Sequence, residues 1–83
     1  MSDRPKINPG EWISVGSTSC VVANVRDNGD CEVVFNSSKP TNCDAYWEGE
    51  AWAFVESGDY GGYAEKYSRL ILYVQILKRG RYA

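Results

Sequence analysis

Three cysteines, eleven carboxylates and no histidine set the limits on what this chain could catalyse. Without histidine, neither a Ser-His-Asp nor a Cys-His relay can be assembled within one copy. Cys20, Cys31 and Cys43 form no Cys-x-x-Cys pair. A structural zinc site normally takes four Cys or His ligands, so three thiols cannot complete one alone. They are expected to be reduced, partly buried thiols. Acid–base work would fall to carboxylates or tyrosines. Asp59 and Glu65 flank a glycine-rich stretch, but a useful carboxylate needs burial or a close partner. Gly58-x-x-Gly61-Gly62 lacks the Lys-Ser/Thr ending of a phosphate cradle and reads as a loop. No catalytic residue, metal ligand or cofactor is predicted.

Binding chemistry is better supplied. Trp47, Trp52, Tyr60, Tyr63, Tyr67, Tyr73 and Tyr82 all fall in the second half of the chain. Aromatic faces accept unstacked bases or cationic groups, and they also fill small cores. The candidate ligand surface is Tyr60, Tyr63 and Tyr67, with Trp47 or Trp52 beside it. Tyr60, set between an aspartate and glycines, is expected to be the most exposed. A second candidate uses Lys66, Arg69, Lys78, Arg79 and Arg81 with nearby tyrosines to hold single-stranded nucleic acid. A sequence pI near 5.0 opposes it.

Charge is unevenly distributed around a net −2. Asp27 to Asp59 holds eight acids and one base, Lys39, whereas Lys66 onward holds five bases and no acid. Kept apart, these regions would favour self-association into a homo-oligomer. Intermixed by folding, they would pair internally.

These groups must be positioned by a single small domain, since 83 residues leave no room for a second core. No apolar run approaches the roughly 18 residues that cross a membrane, and the polar start Met1-Ser2-Asp3-Arg4-Pro5-Lys6 is no signal segment. A cytoplasmic location with no membrane partner is the expectation.

Residues 1–9 read as a flexible lead, 10–78 as the domain and 79–83 as a basic tail. Strands are predicted at about Glu11–Val15, Ser19–Arg26, Cys31–Phe35, Ala45–Trp47 and Trp52–Val55, from β-formers between turn residues. Matching the faces of Val21, Ala23 and Val25 to Cys31, Val33 and Phe35 requires Asn28-Gly29-Asp30 as a three-residue loop. That register puts Val25 opposite Val33, Arg26 opposite Glu32, and Cys20 on the face opposite to Cys31. Glu48-Gly49-Glu50-Ala51 pairs Trp47 with Trp52 under either plausible turn. Ala64 to Leu72 suits a short helix with a Glu65–Arg69 ion pair at i,i+4. Leu72-Tyr73-Val74-Gln75-Ile76-Leu77, rich in β-formers, suits a closing strand.

The Gly10-Glu11-Trp12-Ile13-Ser14-Val15 strand, the alternation after Ser19 and the Asn28-Gly29 hairpin ending at Val34-Phe35 resemble SH3-like barrels of the KOW and Tudor type. Cys20 stands where KOW domains usually have glycine. The chain also looks like the orphan small barrels of bacterial mobile gene cassettes. Val74-Gln75-Ile76 resembles part of the Val-Gln-Ile-Tyr segment of type II dihydrofolate reductases, with Leu77 in place of the tyrosine. That resemblance implies an oligomeric enzyme with its site at an interface around Gln75.

The expectation is therefore a mainly β protein. It is a single SH3-like, five- or six-stranded antiparallel barrel with a short helix before the last strand. It would act as a non-enzymatic module that binds a peptide or small ligand through aromatic contact.

Overall fold

A computed structural model describes residues 4–55 and 64–82. Five strands form a closed barrel: β1 (Trp12–Val15), β2 (Thr18–Val25), β3 (Cys31–Phe35), β4 (Thr41–Trp47) and β5 (Trp52–Phe54). Neighbours pair antiparallel in sequence order. The ring closes through a parallel contact, Val15 against Trp52, so the barrel is mixed rather than wholly antiparallel. Two 3-10 turns, Ala64–Lys66 and Ser68–Leu70, lead into one helix, α1 (Ile71–Arg79). The mainly β, small-barrel expectation is met, and the barrel is compatible with an SH3-like one. No helix among the described residues is long and apolar enough to cross a membrane.

The predicted closing strand at Leu72–Leu77 is instead the middle of α1. Leu70, Val74 and Leu77 stand at i, i+4 and i+7, and all three are buried. Burying that stripe outweighs the modest β preference of Tyr, Val and Ile, since propensity differences are tenths of a kcal/mol per residue. Lys78 and Arg79 in the last turn suit the negative end of the helix, and Gly80 at φ +97° ends it.

Two apolar clusters hold the domain together. The interior is built on Ile13, Val15, Cys20, Val22, Cys31, Val33, Ala45 and Trp52, with Phe35, Trp47 and Phe54 packed against it. The second lies on the outer face of the sheet. There Val21, Ala23 and Val34 meet Ala64, Leu70, Val74 and Leu77, and α1 forms the cover. β2 and β3 thus bury both faces, which explains the unbroken apolar run Cys20-Val21-Val22-Ala23.

The β2–β3 register differs from expectation. The loop is Asp27-Asn28-Gly29, closed by the Arg26 N–H donating to the Asp30 carbonyl at 2.8 Å. Gly29 takes φ +92°, the positive-φ position that ends a three-residue hairpin loop. Val25 therefore faces Cys31, and an irregularity between Val22 and Asn24 sets Val22 against Val33. Cys20 and Cys31 consequently share the interior face, contrary to expectation, and both remain free thiols. Glu32 lies opposite Asn24 rather than Arg26.

A Cβ at Gly29 would meet the Arg4 guanidinium, whose Nη1 donates to the Asn28 carbonyl at 3.0 Å. Gly29→Ala should therefore cost about 1–2 kcal/mol, mainly through the positive φ. A free energy of unfolding in urea lowered by that amount is the check, and an unchanged value would refute the turn geometry.

Candidate functional site

Burial divides the aromatic residues that the sequence grouped together. Trp52 is 6 % exposed within the interior cluster, and Trp47 packs on it edge-on with ring centroids 5.4 Å apart. Their predicted cross-strand pairing is present. Trp52 belongs to the barrel interior, and Trp47 is half-buried against it. Tyr60 and Tyr63 lie outside the described residues. Tyr67, between the two 3-10 turns, is 42 % exposed. Tyr46 is also exposed, on the same face of β4 as Asn42 and Asp44.

Below Tyr67 lies a group that the sequence analysis did not single out. Glu32 is the buried carboxylate of the described residues, with its side chain 4 % exposed. It stands on the outer face of β3, directly opposite Asp44 of β4. Arg69 grips it in bidentate fashion: Nη1 donates to Oε1, and Nη2 donates to Oε2 at 3.1 Å. Asn42 Nδ2 also donates to Oε2, at 3.1 Å. Arg69 leans over the Tyr67 ring, 5.4 Å from its centroid. Arg26 Nη2 donates to Asp44 Oδ1 at 2.9 Å. Two arginines and two carboxylates thus form an alternating patch over β3 and β4.

Local structure explains why Arg69 reaches Glu32. The Ala64 N–H donates to the Pro40 carbonyl at 3.0 Å and pins the 3-10 segment to the β3–β4 loop. Leu70 then plugs the outer cluster at 1 % exposure. Successive side chains in a 3-10 turn diverge by about 120°, so Arg69 projects sideways across the sheet rather than into the core. The predicted Glu65–Arg69 pair does not form, because the segment is not a continuous helix there. Glu65 pairs with Lys78 instead, at 3.3 Å.

The electrostatics follow from these contacts. The Arg69 hydrogen bond holds the Glu32 carboxyl below the usual carboxylate range, against the opposing effect of burial and with help from Asn42. Glu32 in turn raises Arg69, and Asp44 raises Arg26. One acceptor is left over: Asn42 Oδ1 is buried without a hydrogen-bond partner. Such an orphan costs roughly 1–3 kcal/mol until a donor reaches it.

The predicted basic stripe is dispersed. Arg69 is committed to Glu32 and Lys78 to Glu65. Lys66 is exposed on the first 3-10 turn, Arg79 is exposed at the end of α1, and Arg81 lies against Ser14 and Ser19. Among the ion pairs of the described residues, Glu32–Arg69 joins the acidic middle of the chain to its basic end. Val74-Gln75-Ile76 lies within α1, with Val74 buried and Gln75 exposed.

The thiols are set apart from this chemistry. Burial pushes Cys20 up to about 12 and Cys31 up to about 11, and it raises Cys43. Groups of three or more His, Cys, Asp or Glu able to hold a metal are absent among the described residues. No protein-family model, curated protein or solved structure matches this chain.

Proposed function

We propose that this chain is a non-enzymatic binding module whose site is the patch formed by Tyr67, Arg69, Glu32 and Asn42. Its ligand is a peptide segment or small molecule recognised by aromatic contact with Tyr67. The observation that carries the reading is the buried Glu32 carboxylate, clamped by Arg69 beside an exposed tyrosine and next to an unpaired Asn42 oxygen. A buried charge network at the surface of a small barrel is an expensive feature for stability alone, and hydrophobic replacements are often as stable. The Arg69 side chain is 56 % exposed and lies over the patch. A ligand that displaces it and brings a donor to Asn42 Oδ1 would satisfy the orphan acceptor. The KOW/Tudor-type resemblance of residues 10–35 agrees with a binding role and names no ligand.

Selection of random displayed peptides on the immobilised chain, followed by calorimetry of the enriched sequences, tests this reading. Tyr67→Ala should weaken binding about tenfold or more while changing stability by less than about 0.5 kcal/mol. Undiminished affinity in Tyr67→Ala would remove the site assignment.

A further inference from the structure

A second cluster, on the outer face of β1 and β2, goes beyond that reading. Gly80 ends α1 at φ +97° and turns the chain back over the first hairpin. Arg81 therefore lands on the sheet, where its Nη1 donates to Ser14 Oγ at 3.2 Å and to Ser19 Oγ at 3.4 Å. Ser14 and Ser19 are directly opposed across the β1–β2 ladder, and both are exposed. Each hydroxyl accepts from Arg81, so each keeps its own O–H to donate. Among the described residues, Nε and Nη2 of Arg81 have no protein partner.

The contrast with the other sheet-bound arginines is the telling point. Arg26 and Arg69 are each neutralised by a carboxylate. Arg81 has none among the described residues: its partners are two hydroxyls and the neighbouring ring. Two O–H donors and a guanidinium converge here around one permanent positive charge. That set matches an anion with several oxygens, and guanidinium suits phosphate geometry in particular. Tyr82 adds a flat surface alongside: the residue is 94 % exposed, with its ring centroid 6.0 Å from Arg81 Cζ. A phosphate next to an uncovered aromatic face is the arrangement that takes a nucleotide, by charge on one side and by stacking on the other.

We propose that Arg81, Ser14 and Ser19 form a phosphate site and that Tyr82 stacks the attached base. The ligand is a nucleotide, either free or as one unit of a single strand.

The test is an amide-resolved NMR titration of the whole chain at constant ionic strength, with inorganic phosphate, adenosine 5′-monophosphate and an oligoadenylate as probes. Shifts centred on Ser14, Ser19 and Arg81, with the monophosphate binding about tenfold more tightly than phosphate, are the expected result. Arg81→Gln should weaken the monophosphate about tenfold. Arg79→Gln removes the same charge two residues away and should change affinity less than about twofold, if binding is site-specific rather than diffuse. Tyr82→Ala should abolish the advantage of the monophosphate over phosphate and leave phosphate binding intact. A stronger response per nucleotide to the oligoadenylate identifies a strand as the source, and an equal response identifies the free nucleotide. Equal losses in Arg79→Gln and Arg81→Gln, or no saturable shifts with any probe, would overturn the proposal. Arg79, Arg81 and Tyr82 are all exposed, so an unchanged melting temperature is expected in each of the three variants.

Discussion

Trp52→Ala should abolish cooperative folding of this chain near room temperature. Trp52 fills the barrel interior, carries the edge-on contact with Trp47, and makes the parallel bridge to Val15 that closes the ring. Removing a buried tryptophan costs about 3–5 kcal/mol. A domain of 83 residues holds only about 4–12 kcal/mol in total. Losing closure as well exposes the edges of β1 and β5. The thiols give a direct readout. Burial holds Cys20 at about 12 and Cys31 at about 11, so few thiolates exist in the folded chain near neutral pH. An aromatic disulfide reagent should titrate all three cysteines rapidly in Trp52→Ala and slowly in the wild type. Slow labelling with a wild-type urea midpoint would place Trp52 outside the core and return it to the ligand surface.

Arg69→Ala should be the most damaging surface substitution. It strips the clamp from a carboxylate that is 4 % exposed, leaving Glu32 with Asn42 as its remaining partner. Breaking a fully buried pair costs about 3–5 kcal/mol; because Arg69 is more than half exposed, water can partly replace it, and about 2–3 kcal/mol is expected here. Glu32→Gln should cost less, because it leaves a solvated arginine rather than a buried charge. The informative variant is the double one. Arg69→Ala with Glu32→Gln should be more stable than Arg69→Ala alone, since the second change removes the uncompensated charge.

The pH dependence has a definite sign. The folded Glu32 pKa lies below its unfolded value, so the unfolded state binds more protons as pH falls. Its contribution is present above the unfolded carboxylate range of about 4.3 and is lost as pH drops through the lower folded value. Glu32→Gln should flatten that part of the stability curve. An acid limb as steep in Glu32→Gln as in the wild type would assign the effect to other carboxylates.

What could be read from the sequence follows from the range of the interactions involved. Alternation between Trp12 and Phe35 revealed the first three strands, because their patterning is local. The Trp47–Trp52 pair was legible because both plausible turns gave it. The β2–β3 register was not legible. Moving the loop to Asp27-Asn28-Gly29 and inserting an irregularity at Ala23 are each small changes, and both faces of β2 are apolar, so alternation could not arbitrate. The terminal helix carried a usable signal that β propensity masked: Leu70, Val74 and Leu77 at helical spacing, basic residues in the last turn, then Gly80. Glu32 was hidden for a different reason. Within Cys31-Glu32-Val33-Val34 it looks like an ordinary outward-facing acid. Its partners come from elsewhere: Asn42 on the next strand and Arg69, 37 residues later. Arg81 on Ser14 and Ser19 is likewise a contact made by chain reversal at Gly80, which no local pattern encodes.

The central claim is that ligands meet this barrel on the Tyr67–Glu32 face while the tryptophans inside it are structural. The most direct measurement is an amide and side-chain NMR map of the chain titrated with a selected peptide. The Asn42 carboxamide, Tyr67 and Arg69 signals should move together, and the Trp47 and Trp52 indole signals should stay in place. Shifts centred on those two indoles, with Asn42 and Tyr67 unmoved, would contradict the account.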